Sequence, residues 1–250
     1  MTKRLVADVG NTTVCWQIVS AGGEASQINR RPASEAVTLV VRAAAEASVR
    51  RVAAVVSAPE LGRRVEEALA REGIEYLQVG RDLPVPIETD YYDPAEIGPD
   101  RLCNALAARE GYGPPVVSAS AGTCLTVEAV NAEGRLVGGA IGAGVPAASA
   151  GIAATAPHLA EAVRRAAGRS PEDGLGRSTQ ENLTLGLWLG VAGALESLVL
   201  RARRAVGEGA PVVLTGGDAQ PLAMLLGLEV AVEPGLTLQG VRLALEHASD

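Results

Sequence analysis

The sequence predicts an α/β fold made of two similar halves. Strand-like apolar runs alternate with helix-like amphipathic runs from the N-terminus onward. The strand–turn–strand pattern that opens the chain returns after Gly113-Pro114-Pro115, and the two copies align at their turns, Asp8-Val9-Gly10-Asn11 with Ser120-Ala121-Gly122-Thr123. We therefore expect an N-terminal half at 1–113 and a C-terminal half at 114–250, with a cleft between them.

The first half is predicted to be a hairpin followed by alternating helices and strands. Residues 4–19 form two strands around a tight turn at Gly10-Asn11, and a second turn follows at Ala21-Gly22-Gly23. Segment 84–99 is rich in Pro, Tyr and acidic residues and is predicted to be an ordered loop. The remaining elements are helices at 35–50, 60–72 and 100–109, and strands at 51–57 and 75–79.

The second half is predicted to repeat the hairpin and to add longer helices. The run VVSASAGTCLTVEAV forms two strands around Gly122-Thr123, and a turn at 131–134 leads into a strand ending at Gly138-Gly139. The elements expected after it are helices near 146–167, near 183–204 and after Leu238, and a strand at 211–214.

The composition is typical of a globular protein and argues against a nucleic-acid partner. Hydrophobic residues make up 48% of the chain and charged residues 20%, whereas aromatic residues are only 2%. Few side chains are thus available to stack on bases, and a net charge of -7 gives no general attraction for phosphate backbones. We expect any polyphosphate to be bound locally, by backbone N–H groups, a few Arg side chains and a metal ion.

Cysteine usage and the N-terminus predict a cytoplasmic protein that does not enter a membrane. Cys15, Cys103 and Cys124 have no CxxC spacing, which fits a reducing compartment and argues against structural zinc. The first apolar stretch is too short for a secretory signal before Asp8 interrupts it. The apolar segment 183–200 carries Glu196 and is interpreted as a buried helix.

Two turns are predicted to bind phosphate. In Asp8-Val9-Gly10-Asn11-Thr12-Thr13 the glycine lets the backbone approach a phosphate, N–H groups and hydroxyls donate to its oxygens, and Asp8 can hold Mg²⁺ directly or through water. Ala121-Gly122-Thr123-Cys124 repeats this arrangement, and in a duplicated fold the two turns would grip one polyphosphate from both sides. Each turn alone is also compatible with an ordinary hairpin.

Two further motifs allow either a ligand site or a plainer role. Thr215-Gly216-Gly217-Asp218 follows a strand, where Gly216 and Gly217 can lie against a nucleotide or simply form a strand-to-helix turn. In Gly98-Pro99-Asp100-Arg101, Asp100 either caps a helix or takes the proton of an attacking substrate hydroxyl while Arg101 fixes the substrate.

The order of these motifs resembles that of the type III pantothenate kinases. The family pattern is D-x-G-N-T, Y-x6-G-x-D-R, G-T, G-G-A-I-x-x-G, T-G-G-D and P-x-L-T-L-x-G. In this chain the motifs stand at 8–12, 91–101, 122–123, 138–144, 215–218 and 234–240. The resemblance implies duplicated ribonuclease-H-like domains of the actin-like ATPase fold, usually in a homodimer. It also implies ATP-dependent phosphorylation of pantothenate to 4'-phosphopantothenate, the first step toward coenzyme A.

The resemblance also implies the site residues. Asp100 matches the proton acceptor, and the segment from Asp8 to Cys15 matches the family's ATP-binding segment. The expected ATP and phosphate contacts are Asp8, Val9, Gly10, Asn11, Thr12, Thr13, Val14, Cys15, Gly122, Thr123, Gly216 and Gly217. The expected pantothenate contacts are Tyr91, Gly98, Pro99, Asp100, Arg101 and Thr179.

One position departs from the family pattern and keeps other functions open. The family's second turn reads D-x-G-T, and its Asp resembles the ligand of a monovalent cation, K⁺ or NH₄⁺, whereas this chain has Ser120. A hydroxyl coordinates weakly and carries no charge, and Glu128 on the next strand is not assumed to replace the carboxylate. The alternatives are therefore an active kinase and a catalytically weak paralogue that serves as a regulatory accessory protein. A kinase for a sugar or carboxylate acceptor is a third alternative, because residue spacing does not identify the acceptor pocket.

Overall fold

The computed structural model describes residues 3–20 and 23–248, which form two compact units. The first unit comprises Met1–Glu88, Tyr92–Glu110 and Gly235–Asp250, and the second comprises Thr89–Tyr91 and Gly111–Pro234. These units differ from the expected halves, 1–113 and 114–250, because the last helix packs in the first unit's core.

Ten strands and eight α-helices are present in the described residues. The strands are β1 (Lys3–Val9), β2 (Thr13–Ser20), β3 (Asn29–Pro32), β4 (Arg51–Val56), β5 (Glu75–Gln78), β6 (Val116–Ala121), β7 (Cys124–Val130), β8 (Leu136–Ala143), β9 (Val212–Thr215) and β10 (Ala231–Val232). The helices are α1 (Ala36–Glu46), α2 (Pro59–Arg71), α3 (Pro99–Tyr112), α4 (Val145–Thr155), α5 (Ala160–Ala167), α6 (Thr179–Val206), α7 (Ala219–Ala223) and α8 (Leu236–His247).

The two sheets have the same topology. The first has the strand order β3-β2-β1-β4-β5, and the second, counted from its opposite edge, has the order β8-β7-β6-β9-β10. In each sheet, the three strands that come first in sequence pair antiparallel. These are β1–β3 in the first sheet and β6–β8 in the second, and the two later strands of each sheet pair in parallel. The predicted duplication is therefore confirmed at the level of strand order and direction.

The first sheet is covered on both faces. Leu5, Ala7 and Val9 of β1 face a core shared with α1 and α2, whereas Val6 faces a second core. That second core contains Cys103 of α3 together with Leu238, Val241 and Leu245 of α8. Because both faces are buried, β1 and β4 read as continuous apolar runs, which is the pattern expected of a central strand.

The second sheet has one apolar and one polar face at its centre. Val117, Ala119 and Ala121 of β6 pack against helices, including Leu187 and Leu195 of α6. The alternate residues Ser118 and Ser120 point to the other face, with Thr126 and Glu128 of β7 opposite them. The polar face begins at the predicted second phosphate turn.

Helix α6 has the length and composition of a membrane span but contributes to the second unit's core. It has 28 residues, and 39% of its most apolar window is buried. Trp188, Val191 and Val199 lie in the core, whereas Leu189 and Leu200 are exposed. The predicted burial of this helix thus holds for one of its faces.

Several predicted bounds differ from the structure. The expected helix at 146–167 is divided into α4 and α5 by a 3₁₀ turn at Pro157–Leu159, because proline lacks an N–H and cannot continue α4. Helix α1 ends at Glu46, before the predicted residue 50, and Ser48 adopts a positive φ of 55°. Strand β3, helix α7 and strand β10 were not predicted. The turn expected at Ala21-Gly22-Gly23 lies, except for Gly23, outside the described residues.

Candidate active site

The first predicted phosphate turn is a closed loop fixed to a neighbouring strand. The Gly10 N–H donates to the Thr13 carbonyl at 3.0 Å. The Asn11 side-chain amide donates to the Ser57 carbonyl at 3.1 Å, which ties the turn to the end of β4. Asn11 and Thr12 are exposed, so the tip of the turn is accessible. The flanking residues Val9, Val14 and Cys15, which were also expected to contact ATP, are buried and fix the turn in the core.

Asp8 and Asp100 form a pair of interacting carboxyl groups in the first unit. Asp8 is half-buried and lies opposite Cys15 on β2. Burial raises the pKa of Asp8 to about 7, the negative charge of Asp100 adds to this rise, and the positive charge of Arg30 opposes it. The structure thus brings together the two acidic residues to which the sequence assigned chemistry.

The start of α3 positions Asp100 through the glycine before it. Asp100 is the second residue of α3, inside the first turn and not in the capping position. A Cβ atom on Gly98 would lie 2.5 Å from the Asp100 Oδ1 atom, so the carboxyl group keeps its present position only beside a glycine. Arg101 is 7% exposed. The sequence did not single out Cys103, whose pKa is raised by burial and by the charges of Asp100 and Asp8.

The second predicted turn is held by three backbone hydrogen bonds. The Gly122 N–H donates to the Cys124 carbonyl at 3.1 Å, the Gly144 N–H to Thr123 at 3.1 Å, and the Asp218 N–H to Ala121 at 3.0 Å. Thr123 is exposed at its tip. Gly144 was part of a quoted motif but was not assigned to the site.

Gly216 packs directly against this second turn. It adopts a φ of 107°, a conformation that L side chains rarely adopt. A Cβ atom there would lie 2.8 Å from the Ala121 nitrogen. The structure therefore brings together Gly122, Thr123, Gly216 and the adjoining, exposed Gly217, four of the residues expected to contact ATP.

Ser120 lies in a row of hydroxyl groups beside the second turn. It pairs with Thr126 on β7 and with Thr215 on β9. The Thr126 hydroxyl donates to the Glu128 Oε2 atom at 3.3 Å, and Glu128 is 0% exposed. A carboxylate is thus present on this face of the sheet, but it is on β7 and two residue pairs farther from the turn than Ser120.

A cavity adjoins the second turn. Its volume is about 490 Å³, within the range of small-molecule sites. Apolar residues of α4 form much of its wall, and Arg164 and Asp218 supply charge. Asp218 also donates its backbone N–H to the turn, so the same residue lines the cavity and anchors the turn.

The remaining predicted substrate contacts, Tyr91 and Thr179, belong to the second unit. The Tyr91 N–H donates to the Thr89 hydroxyl at 3.2 Å, and that hydroxyl donates to the Leu136 carbonyl at 3.0 Å. Thr179 is the exposed first residue of α6, which begins there because the Ser178 side chain accepts the Glu181 N–H. A cavity of about 310 Å³ lies beside this end of α6.

In the part of the chain that the structure describes, no group of three or more His, Cys, Asp or Glu side chains is arranged to hold a metal. A metal ion at the Asp8–Asp100 pair would therefore need water or substrate oxygens to complete its ligands. That arrangement is typical of Mg²⁺, which is commonly held by one or two carboxylates together with substrate phosphates.

Comparisons with known proteins identify relatives of the whole chain. A family model described as type III pantothenate kinase matches residues 4–201. A type III pantothenate kinase from Thermomicrobium roseum is 38% identical over 167 residues, which cover 67% of this chain but only 62% of that protein. A type III pantothenate kinase from Moorella thermoacetica is 31% identical over 261 residues, covering 97% of this chain and 98% of that protein.

Solved structures with low sequence identity share the fold. Component A of the (R)-2-hydroxyglutaryl-CoA dehydratase from Acidaminococcus fermentans has a TM-score of 0.58 and 16% identity, with 100% of both chains covered. A ROK family glucokinase from Streptomyces griseus has a TM-score of 0.52 and 14% identity, with 96% of this chain and 97% of that chain covered. The predicted class, duplicated α/β domains of the actin-like ATPase fold, is confirmed.

Proposed function

The chain belongs to the type III pantothenate kinase family, and we propose that it transfers the γ-phosphate of ATP to the primary alcohol of pantothenate. The product is 4'-phosphopantothenate, and the reaction is the first step of coenzyme A biosynthesis. The observation that carries this proposal is the interacting pair Asp8 and Asp100 beside the first turn. One carboxylate can serve the metal and the other the attacking hydroxyl.

Asp100 is the proposed general base. It lies in the first turn of α3, next to the buried Arg101. Gly98 has no Cβ atom that would contact the Asp100 carboxyl group. As the pantothenate hydroxyl attacks, Asp100 accepts its proton, while Arg101 orients the substrate. Phosphoryl transfer requires mainly positioning and charge stabilisation, so a proton acceptor is the one group that has to take part in proton transfer.

Asp8 is the proposed Mg²⁺ ligand, directly or through a water molecule. The mutual repulsion of Asp8 and Asp100, which contributes to the raised pKa of Asp8, would be relieved by a cation, and both groups offer the oxygen ligands that Mg²⁺ prefers. When bound, Mg²⁺ would neutralise charge on the phosphates.

Each turn is proposed to bind phosphate within its own unit, and the cavity of the second unit is proposed to bind the nucleoside. Backbone N–H groups and hydroxyls at Gly10–Thr13 and at Gly122–Thr123 donate to phosphate oxygens. The close packing of Gly216 on the second turn supports a rigid cradle there. The 490 Å³ cavity, with its apolar α4 wall and the Asp218 carboxylate, suits a nucleoside. Tyr91 and Thr179 are proposed as additional pantothenate contacts.

Ser120 favours a second candidate function, a weak paralogue that acts as a regulatory accessory protein. The position lacks the charge of the family's aspartate and is flanked by Thr126 and Thr215, which are also neutral. A K⁺ or NH₄⁺ ion held there would be coordinated by hydroxyl and backbone oxygens alone. Weak binding of the monovalent cation, and turnover that responds little to it, are expected.

A coupled ADP-release assay separates the two candidates. Wild-type protein and Ser120→Asp are compared with ATP, Mg²⁺ and pantothenate, each in Na⁺, K⁺ and NH₄⁺ buffers. Robust wild-type turnover excludes the accessory role, whereas turnover that appears only in the variant supports it. A panel of sugar and carboxylate acceptors in the same assay tests the acceptor, and ADP release with one of these but not with pantothenate would contradict the proposed substrate.

We further propose a cytoplasmic homodimer without membrane or nucleic-acid partners. The net charge of -7 argues against a nucleic-acid partner, and the core position of one face of α6 argues against a membrane span. The exposed Leu189 and Leu200 on the other face offer an apolar surface for a second copy.

A further inference from the structure

We propose that Arg30 is an additional phosphate-binding residue, whose guanidinium group contacts the terminal phosphate of the nucleotide at the first turn. The inference rests on the proposed kinase function and adds to it a positively charged side chain that lies outside all the sequence motifs. It comes from strand β3, which the sequence did not predict.

Arg30 stands in one row with the two groups that define the acidic site. Asp8 on β1 pairs with Cys15 on β2, and Cys15 pairs with Arg30 on β3. Directly opposed residues in antiparallel strands project to the same face of the sheet. Two strand spacings, about 10 Å in total, separate the backbones of Asp8 and Arg30, and only the short Cys15 side chain stands between them.

The positive charge of Arg30 acts on the acidic site, although no ion pair between Arg30 and a carboxylate is found in the described residues. Arg30 lies in one row with Asp8 and Cys15, and its positive charge acts on both side chains. Within residues 3–20 and 23–248, Arg30 forms no ion pair with a carboxylate, whereas Arg51, Arg63 and Arg81 each do. A half-buried guanidinium group therefore remains available for an incoming anion.

Strand β3 and the first turn form one connected piece of backbone. Thr13 pairs with Pro32, and the Ala33 N–H donates to the Thr12 carbonyl at 2.9 Å. Arg30 is therefore held at a fixed distance from the phosphate donors at Gly10–Thr13. A planar guanidinium group makes paired hydrogen bonds to phosphate oxygens, and its charge would offset the repulsion between the triphosphate and the two carboxylates.

The neighbouring Arg31 provides a matched control. It pairs with Val14, so its side chain projects to the opposite face of the sheet from Arg30. Its guanidinium donates to the Arg30 carbonyl at 2.8 Å. Arg31→Gln removes the same charge from the same strand without removing a group from the acidic face.

The test is calorimetric titration of inorganic tripolyphosphate, and separately of ATP, in the presence of Mg²⁺. Wild type, Arg30→Gln, Arg30→Lys and Arg31→Gln are compared. We expect Arg30→Gln to weaken both affinities by about 10- to 100-fold, the effect of losing charge-assisted hydrogen bonds. Arg30→Lys should show a smaller loss, and Arg31→Gln a change within about twofold. Thermal unfolding of each variant checks that the fold is kept, and Arg30→Lys carries the test if Arg30→Gln does not fold.

The outcomes separate this inference from the proposed function. Unchanged tripolyphosphate binding in Arg30→Gln, an equal loss in Arg31→Gln, or no binding by the wild type would each overturn the role of Arg30, whatever the kinase assay shows. A different result would separate the two proposals: the wild type binds tripolyphosphate but does not phosphorylate pantothenate, and Arg30→Gln loses the binding. That result would support the role of Arg30 and reject the proposed substrate.

Discussion

At the residue scale, the burial of Asp8 lowers the stability of the folded protein at neutral pH. The pKa of Asp8 is about 7 in the folded protein against an ordinary value of 3.8. Between these values the unfolded chain has lost this proton while the folded chain keeps it. The contribution of Asp8 to stability is therefore full below pH 4 and is lost as the pH rises to about 7.

Replacement of this side chain should stabilise the protein while inactivating it. Asp8→Asn has no charge to desolvate, so we expect the free energy of unfolding at pH 8 to rise by about 1–4 kcal/mol, since each pKa unit corresponds to about 1.4 kcal/mol. At pH 5 the gain should be clearly smaller. Denaturant titrations at both pH values measure it, and a variant that is less stable than wild type at pH 8 would contradict the assigned cause. Turnover should fall because the proposed metal ligand is lost.

Asp100 should affect turnover much more than nucleotide binding. If it is the general base, Asp100→Asn keeps the size of the side chain but cannot accept the proton, and kcat should fall by about 10²- to 10⁴-fold. The affinity for ATP, measured by calorimetry, should change by less than about threefold. Glu96→Gln, an exposed change just before α3, is the control. Full turnover in Asp100→Asn would refute this role.

The sequence could identify the acidic residues but not all of their neighbours. Asp8 and Asp100 are recognisable because each stands in a motif beside glycine. Arg30 is not, since Asn-Arg-Arg-Pro has neither the alternation nor the β-branched residues that indicate a strand. Cys103 and Gly144 join the sites through packing between segments distant in the chain, which no local pattern records.

At the element scale, α3 is the helix that carries the proposed general base, Asp100. Gly98→Ala should displace the Asp100 carboxyl group, because the new Cβ atom would lie 2.5 Å from Oδ1. We expect kcat to fall at least about tenfold, since small errors in the placement of a catalytic group are costly. The melting temperature should change little.

Gly111→Ala, at the other end of α3, is the matched control. No atom lies within 4 Å of a Cβ placed there, and alanine favours helix by up to about 1 kcal/mol. This variant should keep full activity and melt slightly higher. Equal activity of the two variants would show that Gly98 does not position Asp100.

Predicted elements were accurate where a long apolar period existed and failed where proline or shortness intervened. Strand β4 and helix α2 agree with their predicted bounds within one residue. The predicted helix at 146–167 missed the interruption at Pro157, although proline is a local signal that could have been used. Strand β10 has only two residues and is stabilised by its pairing with β9, which is not local.

At the scale of the whole molecule, the exposed face of α6 is the surface to test for self-association. Leu189 is 48% exposed on a helix whose opposite face is in the core. Leu189→Glu should convert a homodimer to a monomer, because a charge would be buried in an apolar contact. Light scattering coupled to gel filtration measures the mass. Met224→Glu, at a side chain that is 70% exposed elsewhere in the second unit, should leave the mass unchanged. A dimer that survives Leu189→Glu would exclude this face.

The chain path also has a consequence for the order in which the protein can be made. Helix α8 supplies Leu238, Val241 and Leu245 to the core beneath β1 and β4, yet the ribosome completes it after everything else in that core. The segment Gly111–Pro234, nearly all of the second unit, emerges before it. Since domains generally fold as units during synthesis, we expect the second unit to be structured first. The first-made strands would then keep one face of their sheet only partly covered until the last helix is synthesised.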